Sequence, residues 1–324
     1  MFETAPLHQD FEATQSGRRT KGVTQIEHTL QEALVSGDRA LRSVPSMLSL
    51  IVGESAQSLL SDAIVAKVRG FLESLAEQLL EAKAGCHRLD IGSREIDKIV
   101  AALSVDGALL NYCYALAVES RATDKLGQTA AVDPVLSPLL QELIASSDAA
   151  SAELAMRAMA AQSRFVQQQM RMELPLEELP AELLDRTLNR WRSIYDEDAE
   201  IIQAVESIKN AYDEGSSRTG LMMRLVTRMR GGAIAGLEVA HAGMALFTTS
   251  LASLSKQPRE LTVLACQEGQ APRLALSLRS TGMESEAIQR QFHFLNPAEQ
   301  PSSALRALDP ARALAILHHD HPAF

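Results

Sequence analysis

Cysteine and aromatic residues are scarce in this chain: 3 Cys, 1 Trp, 4 Tyr and 8 Phe among 324 residues. The thiols Cys86, Cys113 and Cys266 are odd in number and far apart in sequence, which argues against a disulfide scaffold and fits a reducing compartment. The motifs of covalent and cofactor chemistry are missing too. There is no Gly-x-Ser-x-Gly elbow, no Gly-x-x-x-x-Gly-Lys phosphate loop, no Gly-x-Gly-x-x-Gly turn and no paired Cys-x-x-Cys. The sequence therefore implies no cofactor and points away from an enzyme. No run of about 18 apolar residues is free of charge, so no membrane span is expected. The nearest run, residues 234–254, carries Glu238 and His241 and reads as a buried helix. With Asp10 and Glu12 and no apolar segment, the N-terminus does not resemble a signal peptide, and a cytoplasmic location is expected. Basic residues are outnumbered, 31 Lys and Arg against 41 Asp and Glu, a net charge of −10. That excess of acid argues against binding nucleic acid with the whole surface.

What is abundant is Leu, Ala, Glu, Gln, Met and Arg, unbranched at Cβ and favourable in helices, so the composition predicts an all-α fold. At roughly 150 residues per domain the length predicts two units, each with its own core. Residues 1–22 are too polar to bury much and read as a disordered arm. Residues 23–126 read as an N-terminal helical domain, with Gly37 as a helix stop and an apolar stripe from Leu60 through Ile64, Val68, Phe71, Leu72 and Leu75 to Leu79, closed by Gly85. That stripe serves either packing inside a bundle or a homodimer seam. Residues 127–133, followed by Pro134, read as the boundary.

From there to residue 295 helices alternate with Pro and Gly. The phrase Leu179-Pro180-Ala181-Glu182-Leu183 returns as Gln257-Pro258-Arg259-Glu260-Leu261. Pro in a first helical turn loses no internal hydrogen bond, and Glu two residues on suits the dipole. Two such starts predict antiparallel helix pairs stacked as a HEAT-like α-solenoid over 134–295. Residues 296–324 read as a tail rich in Pro, Ala and His, with one helix at 310–317. Phrases such as Pro138-Leu139-Leu140-Gln141-Glu142-Leu143, with the runs 155–169, 173–180, 236–243 and 274–282, resemble the bacterial domain-of-unknown-function family 2336, found mainly in alphaproteobacteria. The resemblance covers residues 130–295 and implies a HEAT-like helical-repeat fold with no assigned activity and no functional residues to carry over.

Three groupings are candidates for function. Arg218, Arg224, Arg228 and Arg230 lie in a stretch without acidic residues, interleaved with Met222, Met223 and Met229. Adaptable Met among cations suits an acidic protein partner. Charge distribution supports this: residues 215–324 carry 11 basic and 8 acidic residues, and residues 1–214 carry 20 and 33. Glu238 and His241 have the Glu-x-x-His spacing of carboxylate-bridged metal sites, but a second copy is missing. The histidines of Leu317-His318-His319-Asp320-His321 and the neighbours Cys86 and His87 are weaker candidates, as a loose metal tail and a nucleophile–base pair. Trp191, with Leu188 and Tyr195 at helical spacing, reads as core before hot spot. The leading expectation is a non-enzymatic module that binds another protein. A metal or anion site near Glu238 and His241 is the alternative, and a HEAT-like DNA-binding protein the third reading.

Overall fold

A computed structural model describes residues 9–53, 61–83, 92–195 and 198–318. Over these the chain is all-α, and among the described residues there is no strand. The helices are α1 (Gln9–Gly53), α2 (Asp62–Ala82), α3 (Ser93–Leu103), α4 (Gly107–Ala130), α5 (Pro138–Ile144), α6 (Ala149–Met170), α7 (Ala181–Ile194) and α8 (Ala199–Ala211). They continue with α9 (Arg218–Met229), α10 (Val239–Ser255), α11 (Arg259–Ala265), α12 (Ala271–Ser280), α13 (Ser285–Leu295) and α14 (Pro310–His318).

Local chemistry sets many of the starts. Asp106 caps α4 by accepting from the N–H groups of Ala108 and Leu109, and Ser137 caps α5 ahead of Pro138. Helices α7 and α11 open directly after Pro180 and Pro258 with Glu182 and Glu260 in their first turns, as the repeated phrase predicts.

Two helices have almost no polar side and so must be enclosed. In α4, Leu109, Leu110 and every residue from Tyr112 to Glu119 are buried; in α10, so is every residue from Ala242 to Ala252. Accordingly α4 packs on α1, α2, α7, α10, α11 and α13, while α10 packs on α4, α5, α9, α11, α12 and α13. A solenoid confines contacts to adjacent repeats. Here the two apolar helices gather elements from both ends of the chain, so the expected linear array of pairs is not the arrangement seen. Helix α10 bends at Gly243, whose φ of 69° is open to glycine and strained for other residues. A Cβ there would lie 3.1 Å from that of Ser137.

The expected cut at 127–133 does not separate domains. Helix α4 runs through to Ala130, and both hydrophobic cores take residues from each side of it. One core joins Leu30, Leu34 and Leu126 to α5, α6 and α9–α14; the other joins α2, α3 and α4 to Trp191, Leu261 and Leu264. The stripe Ile64, Val68, Phe71, Leu72, Leu75 and Leu79 lies inside the second core, which leaves it unable to act as a dimer seam. Leu60 and Gly85 lie outside the described residues.

Other expectations are corrected by how the ends are used. Residues 9–22, expected as a disordered arm, belong to α1, and residues 1–8 lie outside the described residues. Gly37 does not stop α1. It marks a close approach, where its carbonyl accepts from Gln270 Nε2 at 3.0 Å and a Cβ would sit 2.8 Å from Gln270 Oε1. The segment expected as a tail returns to the first core through Leu305, Leu308, Ala313, Ile316 and Leu317. Among the described residues no single helix is long and apolar enough to cross a membrane. The bent pair α3 and α4 matches a span by length and composition, with a 102° bend, but its apolar residues fill the second core.

Candidate functional site

The arginine-rich helix α9 divides between two environments. Arg218, its first residue, lies on the same face as Leu221, Met222 and Leu225, all buried. Its side chain is 1 % exposed. The guanidinium donates to both oxygens of Glu119 at 2.8 and 3.1 Å and to Gln162 Oε1 at 3.3 Å, and it stacks 3.7 Å from the Phe165 ring centroid. Arg259 grips the same carboxylate from the other side at 2.6 and 2.9 Å, with its Nε donating to Thr249. The backbone N–H of Arg218 donates to the Glu178 carboxylate at 3.0 Å. One carboxylate on α4 is thus held between guanidiniums from α9 and α11.

Electrostatics follow from that geometry. Burial opposes ionisation of Glu119, but Arg218 and Arg259 outweigh it and hold its carboxyl well below the usual carboxylate range. For Glu178 burial wins over Arg218, and its carboxyl titrates above the usual range. Glu119 and Arg218 are buried and Arg259 is 10 % exposed, and although Arg218 Nε has no hydrogen-bond partner, the shared carboxylate makes the cluster a clamp between helices. A second buried pair does the same for the ends of the chain: Arg273 on α12 bonds Asp38 on α1, and its Nη1 donates to Gln257 at 2.8 Å.

The expected partner-binding set is therefore divided. Arg218 is removed from it by burial, for the physical reason that its position falls on the apolar stripe of α9. Arg224, Arg228 and Arg230 are exposed. Arg224 donates to the Gly215 carbonyl at 3.2 Å, and Arg228 pairs with Asp148 at 2.7 Å and with the Ser151 hydroxyl. Arg230 has no ion-pair partner among the described residues, nor has Arg157 on the adjoining α6. The contacts of Arg228 with Ser151 and of Arg218 with Gln162 make α6 and α9 antiparallel, and that register puts Met156 level with Met223. Met156 is 49 % exposed, Met223 38 %, and Ile234, just past α9, 61 %. The sequence reading missed α6 as the second half of this face, although Met156-Arg157 repeats the Met-Arg pairing of Met223-Arg224.

The Glu238 and His241 pair does not form a ligand set. His241 Nε2 lies 3.0 Å from Glu142 on α5, whereas Glu238 accepts from Gln291 at 2.6 Å and from Arg290 on α13. Among the described residues no three His, Cys, Asp or Glu side chains gather as a metal ion needs. His318 lies 3.3 Å from the Ser255 carbonyl; His319, Asp320 and His321 lie outside the described residues, as do Cys86 and His87. Burial pushes the thiols of Cys113 and Cys266 up to about 12, so neither is a thiolate nucleophile at neutral pH. Trp191 is fully buried in the second core.

No protein-family model, no curated protein and no solved structure matches this chain.

Proposed function

We propose that the protein is a binding module whose α6–α9 face docks an acidic, amphipathic segment of another protein. The reading rests on one observation: exposed Met156 and Met223 lie at one level of the α6–α9 pair beside Arg157 and Arg224, with Arg230 just past α9, and none of these arginines pairs with a carboxylate among the described residues. Apolar anchors ringed by cations suit a helix carrying Leu or Phe on one stripe and Glu or Asp beside it. This reading takes the module as non-enzymatic and cytoplasmic, and the buried free thiols of Cys113 and Cys266 accord with a cytoplasmic location.

The test uses a fluorescent synthetic helix with Leu at helical spacing and Glu on its flanks. Binding read by anisotropy should weaken in Met223→Asp and in Arg224→Glu, and should fall with added salt. Equal binding by wild type and both variants overturns the proposal. So does failure of the wild type to bind.

A further inference from the structure

A second surface, remote in composition from the α6–α9 face, has the features of a small-molecule site. An open cleft lies between α4, the turn after α11 and the end of α13. Its apolar wall includes Ile64, Val118, Ala122 and Phe294. On one side of it stand Arg121 and Lys125, four residues apart and so on one face of α4. Lys125 is aimed by a 2.7 Å bond from Nζ to the Leu295 carbonyl, which leaves two of its three donors for another acceptor. Arg121 makes no hydrogen bond or ion pair among the described residues, and its fork of donors matches a carboxylate.

The polar end of the cleft is fixed as well. Gln267 accepts from the Tyr114 hydroxyl at 2.6 Å, and Asn296 Nδ2 donates to the Gln267 carbonyl at 3.2 Å. Glu268 is the one acidic residue in the lining, and it is exposed. Cys266 lines the cleft with its Sγ turned to the Thr262 carbonyl, so it contributes bulk and no reactivity.

The geometry points to a binding site for an organic acid, a single anionic head with an apolar body. The head meets Arg121 and Lys125, and the body lies along Val118, Ala122 and Phe294. An apolar wall beside a few fixed polar groups is how such ligands are oriented.

Isothermal titration calorimetry with decanoate below its micelle concentration tests this on the intact protein. Saturable binding is expected, weakened about tenfold or more in Arg121→Glu, a change of about 1.4 kcal/mol or more. Ala122→Phe, which fills the wall, should weaken it to a similar extent. Arg121 is exposed and unbonded, so circular dichroism and the melting temperature of Arg121→Glu should match wild type, which separates lost binding from lost folding. Absence of saturable decanoate binding overturns the inference. Wild-type affinity in both variants does the same, and so does inorganic phosphate bound as tightly as decanoate, because the site then reads charge alone.

Discussion

The two ends of α9 carry the same residue type to opposite purposes. At its start Arg218 is enclosed, shares Glu119 with Arg259 and stacks on Phe165; from Arg224 onward the arginines face solvent beside exposed methionines. What separates them is register. Positions 218, 221, 222 and 225 fall on one stripe and 223, 224, 227 and 228 on the other, so a run of basic residues is one surface only where helical spacing agrees. The buried end gains specificity of packing at the risk of an uncompensated charge, and the exposed end gains availability at little structural consequence.

The largest effect should come from the carboxylate that both guanidiniums share. Glu119→Ala strands two buried cations and should destabilise the fold by about 3–5 kcal/mol, read from the urea midpoint. Arg218→Met should cost less, about 1–3 kcal/mol, because Glu119 keeps Arg259 and only one buried group loses its partner. Equal losses in the two variants would mean that Arg259 does not compensate, and the clamp would reduce to one pair.

Much of this was legible in the sequence, and the missing part has a common cause. The all-α class, the helix starts after Pro180 and Pro258, and the burial of Ala242 to Ala252 within the apolar run follow from local chemistry, and the structure has them; Ile234, at the start of that run and outside α10, is exposed instead. Arg218 was legible in principle from its place on the stripe of Leu221, Met222 and Leu225. Its partners Glu119 and Arg259 were not, since they lie 99 and 41 positions away and meet only because α4 is wrapped on every side. The linear reading of domains failed for the same reason. Gly37 and the linker at 127–133 carry the local marks of stops, yet the demand to cover α4 and α10 ties α1, α12 and α14 into one core across them. The face at Met156 and Met223 needed the pairing of two helices that sequence spacing alone does not supply.

Acid should distinguish the clamp from the surface. Glu119 titrates lower in the folded protein than in the unfolded chain, so its contribution is complete above about pH 4.3, the unfolded value, and is lost as pH falls toward the folded value. Asp106, whose carboxylate overcomes burial through bonds from Arg186 and its cap N–H groups, has the same sign. Glu178 has the opposite sign, since its raised carboxyl favours the folded state as pH falls. Stability read by urea unfolding should therefore decline below about pH 4 less steeply in Asp106→Asn than in wild type. An unchanged slope would mean that Asp106 is not held in its ionised form by Arg186.

The smallest structural effect and the sharpest functional one meet at Arg228. Its pair with Asp148 is exposed on both sides, 42 % and 52 %, and solvent screens such a pair, so Arg228→Ala should leave the urea midpoint unchanged. The Ser151 hydroxyl and Arg228 together hold the Asp148 carboxyl below its usual range, so the anion persists at neutral pH and keeps Arg228 occupied. An arginine already paired has less to offer an acidic partner than Arg224 or Arg230. Binding of the acidic test helix should then fall more in Arg224→Ala than in Arg228→Ala, and Asp148→Ala, which frees Arg228, should strengthen it. A weaker complex with Asp148→Ala would show instead that Asp148 holds the α6–α9 face in its binding shape, and that the paired arginine belongs with the buried one as part of the scaffold.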